Sequence, residues 1–70
     1  METNFKINAI VEVSTSTDDD ELNKFLNEYG NIIIIEQIEN DIFWGKTQND
    51  VKIPYHLEAR DITCFLGYND

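Results

Sequence analysis

Cationic side chains are scarce in this sequence: five Lys and Arg stand against fourteen Asp and Glu, a formal charge of −9 with the single His neutral. That balance excludes the usual route to nucleic acid, in which Lys and Arg neutralise phosphates and release counterions. An anionic membrane surface is disfavoured for the same reason. One cysteine, Cys64, closes no disulfide within the chain, which points to a reducing, cytoplasmic setting. One His and one Cys do not make a zinc site, and no cofactor is expected. A Gly-rich phosphate loop and a nucleophile elbow are both missing. Aliphatic runs are short, the longest being Ile32 to Ile35, far below a membrane span. The chain opens Met1-Glu2-Thr3 with no basic or apolar leader pattern.

Apolar residues, in contrast, are plentiful. Ten Ile and eight aromatics exclude a disordered chain. Seventy residues make one domain, 1–70, and a domain of that size buries only about 60% of its unfolded surface. Residues 4–14 alternate: Phe5, Ile7, Ala9, Val11 and Val13 share one face, while Lys6, Asn8, Ile10, Glu12 and Ser14 share the other. A period of two with β-branched residues predicts a half-buried strand. Ser14-Thr15-Ser16-Thr17 then offers hydroxyls to cap a helix, and Asp18-Asp19-Asp20-Glu21 gives it an acidic first turn. Leu22, Phe25, Leu26 and Tyr29 follow as one apolar stripe, and Gly30 stops the helix.

Asn40-Asp41 and Asn49-Asp50 each suit a two-residue hairpin loop, which predicts a meander of strands over 31–39, 42–48 and 51–57. Pro54 places the third of these at an edge or a bulge. A last strand is expected over 62–68, with a helix over 55–66 as the alternative. The fold class is therefore α+β: one helix on a four- or five-stranded, mainly antiparallel sheet, in the order β-α-β-β-β(-β). Pairing through the two loops collects Ile33, Ile35, Ile42, Trp44, Val51, Ile53, Tyr55 and Leu57 on one face, the one expected under the helix. Ile32, Ile34, Ile38 and Phe43 are left on the other, with Ile10 joining them. One helix covers one face, so these residues form a candidate apolar interface, unless the register slips by a residue and exchanges the faces.

Few constellations carry chemistry. His56 and Cys64 lack a third group to orient them, and Cys64 in its β-prone surroundings is expected to be a small buried hydrophobe. The run 18–21 lacks the Gly and the spacing of a calcium loop, so no metal is expected there. Phe43 and Trp44 could stack RNA bases, but the charge of −9 opposes it. What remains is the acidity itself, grouped at 18–21, at Glu36, Glu39 and Asp41, and towards the end at Glu58, Asp61 and Asp70. Fixed carboxylates can imitate a row of phosphates and so occupy a basic channel; ordinary solubility is the plainer use of such a surface.

In size, acidity and element order the chain resembles the small inhibitors that phages make against host defences, anti-CRISPR proteins among them. The segment Ile38-Glu39-Asn40-Asp41-Ile42-Phe43-Trp44-Gly45-Lys46 is similar to a hairpin found in some of them. The resemblance implies a non-enzymatic protein, acting in the host cytoplasm, that blocks a nuclease complex by binding its basic surface. It carries over no functional residue. The reading is of a binding protein whose partner is a larger basic protein or nucleoprotein complex, with no direct contact to nucleic acid or membrane. Its contacts are expected at Asp18, Asp19, Asp20, Glu21, Glu36, Glu39 and Asp41. The alternative is an accessory homodimer formed through Ile32, Ile34, Ile38 and Phe43.

Overall fold

A computed structural model describes residues 6–69. Phe5, expected in the first strand, and Asp70, expected in the last acidic group, lie outside the described residues. The elements run β1 (Ala9–Val13), α1 (Asp20–Tyr29), β2 (Ile32–Glu39), β3 (Ile42–Thr47), β4 (Leu57–Glu58), a 3-10 turn over Ala59–Asp61 and β5 (Ile62–Tyr68). All strands join one five-stranded antiparallel sheet in the order β4-β3-β2-β1-β5. The α+β architecture expected from the sequence is the one formed, and 55–66 holds no α-helix. Among the described residues no helix is long and apolar enough to cross a membrane.

The helix starts where a charge-bearing acceptor is available. The Asp19 carboxylate accepts from the backbone N–H of Glu21 at 3.0 Å and of Leu22 at 3.2 Å, so Asp19 is the N-cap and not one of the hydroxyls at 14–17. Thr17 serves one step earlier. Its N–H and hydroxyl both donate to Asn23 Oδ1 at 2.9 Å, and Asn23 Nδ2 returns a bond to the Thr17 carbonyl. Gly30, at φ 105°, ends the helix and donates its N–H to the Leu26 carbonyl at 2.9 Å. Of the stripe, Leu22 and Leu26 are buried, Phe25 is partly covered and Tyr29 stands out in solvent.

The first hairpin opens as its loop predicts, with Glu39 opposite Ile42 and Gln37 opposite Trp44. The ladder then slips between Ile35 and Gln37: Glu36 is an extra residue, and Ile35 faces Gly45 where an unbroken ladder would give Lys46. A slip of one exchanges faces. Phe43, Gly45 and Thr47 therefore point to the helix side, and Ile42 and Trp44, expected in the core, lie on the opposite face. The next loop is also longer than expected. Thr47 N–H reaches Val51 O at 2.9 Å around three residues, with Asp50 at φ 65°. The shift puts Leu57 opposite Phe43; of the strand expected over 51–57 only Leu57 lies in a regular strand, which takes in Glu58 just beyond those bounds. The core is thus Ala9, Val11, Val13, Leu22, Leu26, Ile33, Ile35, Phe43, Ile53 and Leu57, flanked by Phe25, Ile38, Tyr55 and Ile62.

The sheet has to curl. Only the residues between Glu58 and Ile62 carry the chain from one margin to the other. Four extended steps span at most about 14 Å, whereas four inter-strand spacings in a flat sheet sum to roughly 19 Å. Bulges supply the bend, at Glu36 in β2 and at two places in the β1–β5 ladder. One margin of the sheet is thereby drawn towards the other around the start of the helix.

Candidate acidic cleft

Where the margins approach, an open cleft of about 400 Å³ forms beside the helix N-terminus. Ten residues line it, and six are carboxylates: Asp18, Asp19, Asp20 and Glu21 from the helix start, Glu58 and Asp61 from the turn between β4 and β5. The fold thus unites two acidic groups some forty residues apart in sequence. Against them stand His56 and Arg60, and Arg60 is already paired with Glu58 at 3.4 Å. The cleft therefore presents a strongly negative potential to solvent.

Several of these carboxylates also hold structure. Asp19 caps the helix. Asp61 Oδ2 accepts from the Glu58 N–H at 3.0 Å, and Asp61 O accepts from Ser14 N–H at 2.8 Å, which ties the turn to the end of β1. Glu21 Oε2 accepts from the Tyr55 hydroxyl at 3.3 Å. That phenol is held above its ordinary value of 10.0, first by desolvation, then by the charge of Glu21 and its hydrogen bond, and last by Asp19. Asp18 and Asp20 are exposed and have no such task.

Of the other nominated acids, Glu39 and Asp41 are exposed at the tip of the β2–β3 hairpin. Glu39 faces Ile42, and Ile42 faces Glu58, so one cross-strand row runs from the hairpin to the turn that lines the cleft. Glu36 is placed differently: it rides on the bulge and meets Lys46 Nζ at 3.8 Å. Lys46 also bonds Asp50 at 3.0 Å, and that hydrogen bond is the main reason its ammonium is held above the usual 10.5. Sequence reasoning grouped Glu58 with Asp61 but left both out of the site, because their approach to 18–21 depends on the curl of the sheet.

The apolar interface expected from Ile32, Ile34, Ile38 and Phe43 is not assembled. The bulge at Glu36 turns Phe43 into the core at 2% exposure and packs Ile38 against that core. Ile32 and Ile34 stay on the face away from the helix, joined there by Ile10, Ile42 and Trp44. Ile34 is only 9% exposed, between Ile10 and Lys46 in its row. Cys64, expected to be buried, is exposed on β5 opposite Glu12.

Chemically the cleft can attract and hold cationic groups. Among the described residues no three His, Cys, Asp or Glu side chains come together as metal ligands. Comparison of the chain with protein-family models, with curated proteins and with solved structures finds no match.

Proposed function

We propose that this chain is a small non-enzymatic binding protein that sets its acidic cleft against the basic, nucleic-acid-binding surface of a larger protein and so inhibits it. The observation that carries the reading is the convergence of six carboxylates from two distant segments around one open cleft, with one guanidinium among them. A surface charged only for solubility gains nothing from such concentration, because like charges brought together repel and cost stability. A cationic partner reverses the sign of that interaction. The carboxylates steer the encounter, and the row from the cleft towards Glu39 and Asp41 extends the negative surface along a partner's groove.

The test is capture from a nuclease-treated lysate on the immobilised chain, at low and high salt, with Asp18→Asn/Asp20→Asn/Asp41→Asn alongside. These three acids are exposed and leave the Asp19 cap and the Asp61 tie in place. Expected is one basic nucleic-acid-binding protein, retained at low salt, released at high salt, displaced by duplex DNA and not retained by the variant. Equal retention by the variant, or indifference to DNA, overturns the reading.

A further inference from the structure

The bulge at Glu36 also builds a second recess in the surface. In an unbroken strand Glu36 and Gln37 would point to opposite sides. Here both stand on the face away from the helix, Glu36 towards Lys46 at 3.8 Å and Gln37 opposite Trp44. Another irregularity lies on the far side of Trp44. Lys46 faces Lys52 and Phe43 faces Leu57, so three steps along β3 match five along 52–57. The two surplus residues open the ladder beside Trp44. Between the irregularities lies a groove of about 310 Å³, lined by Glu36, Gln37, Trp44, Gly45, Lys52 and Ile53. That is the small end of the range for ligand sites, roughly 300–1,000 Å³. The groove shares no residue with the acidic cleft.

Its polar groups are uncommitted. Among the described residues the Trp44 indole N–H, the Gln37 carboxamide and the Lys52 ammonium have no hydrogen-bond partner. The Glu36 carboxylate is beyond hydrogen-bond reach of Lys46, so its lone pairs are open too. Donors and acceptors therefore converge on one half-buried indole, with the buried Gly45 and Ile53 completing the wall.

We infer that this groove binds a neutral saccharide, with a pyranose ring laid on Trp44 and its hydroxyls bonded by Gln37, Lys52 and Glu36. Charge selects the class. An anion, a nucleotide included, is repelled by a chain of −9. A cation meets Lys46 and Lys52 here, and six carboxylates draw it to the cleft instead. A wholly apolar molecule would cover the indole but strip water from an ammonium, a carboxylate and a carboxamide with no bond in return. A sugar matches every one of these groups. One side of a pyranose ring is a run of C–H groups, whose slight positive charge suits the negative face of an aromatic ring. Its rim carries hydroxyls, each able to donate to Glu36 and to accept from Lys52, Gln37 or the indole N–H.

Trp44 is the only tryptophan in the chain, so its fluorescence reads the groove directly. The test is titration of the full chain with cellotriose, maltotriose and N-acetylated chitotriose. At least one should shift the emission and saturate, with a dissociation constant on the order of 1 mM or tighter. Gln37→Ala and Lys52→Ala change exposed positions, keep the fluorophore and should keep the native circular dichroism. Each should raise the dissociation constant for that sugar roughly three- to ten-fold, the effect of one lost hydrogen bond. Asp18→Asn/Asp20→Asn, in the acidic cleft, should leave it unchanged, and adenosine should give no saturable shift. Absence of saturation with all three sugars overturns the inference. So does an affinity that survives both groove variants or falls in the cleft variant. An equal response to adenosine overturns it as well, and marks Trp44 as a platform for bases.

Discussion

Gly45 lies so close to Ile34 that no side chain fits at position 45: a Cβ there would meet the Ile34 carbonyl oxygen and stand 2.8 Å from Ile33 Cγ2. The approach follows from the bulge at Glu36, which brings Gly45 opposite Ile35 on the core side. Gly45→Ala should therefore destabilise the chain by about 1–3 kcal/mol, as overpacked cores do. A lowered urea midpoint with an unchanged slope is the expected result. A neutral outcome would show that the ladder relaxes at the bulge.

Phe43 and Ile42 are neighbours in β3, yet their substitutions should differ sharply. Phe43 is 2% exposed beneath the helix, and Phe43→Ala should cost about 3–5 kcal/mol. Ile42→Thr, on the half-buried outer face, should stay within about 1.5 kcal/mol. An unbroken hairpin ladder would reverse this order, so chemical denaturation of the two variants reports directly on the bulge.

That bulge also marks the limit of what the sequence reveals. The alternation at 9–13, the stripe from Leu22 to Leu26, the Gly30 stop and the Glu39–Ile42 turn are all local patterns, and each was legible. Nothing local distinguishes Glu36 from any other strand residue, yet this one insertion exchanges the faces of β3 and turns Phe43 inward. The third residue in the loop before Val51 is equally silent, because Gln48, Asn49 and Asp50 all suit a turn. The acidic cleft inherits the same difficulty. Asp18 to Glu21 stand out as a run, but Glu58 and Asp61 join them only through the curl that the bulges produce.

The helix cap separates charge from structure. Asp19→Ala should cost about 0.5–2 kcal/mol, since the N–H groups of Glu21 and Leu22 lose their acceptor. Asp19→Asn keeps an equivalent acceptor and should change stability little. Ser16→Ala, in the hydroxyl run that leaves the cap to Asp19, should be close to neutral. Thermal unfolding of the three variants checks the order.

Alkaline pH should weaken the fold in a predictable direction. Tyr55 and Lys46 both hold their protons above their ordinary values of 10.0 and 10.5 in the folded chain. The folded state then binds more protons than the unfolded one, and stability falls as pH rises. Their contribution is intact below those ordinary values and is lost as pH passes through the raised ones. Tyr55→Phe removes one of the titrating groups and Asp50→Asn removes the main cause of the rise at Lys46, so each variant should show a shallower loss of urea midpoint across this range.

The exposed acids of the cleft should set stability against binding. Asp18 and Asp20 add to a crowd of like charges and satisfy no backbone donor, so Asp18→Asn/Asp20→Asn relieves a repulsion that outweighs the pull of the helix N-terminus on Asp20, and should raise the melting temperature at low salt. Added salt screens the same repulsion, so the gain should shrink as ionic strength rises. Binding responds in the opposite sense, because the same two charges steer a cationic partner, and capture of that partner should fall in step with the gain in stability. A variant that becomes more stable while capture is unchanged would assign these carboxylates to solubility alone. Opposite movements of melting temperature and capture would mark them as acids held together, against their own repulsion, for a partner.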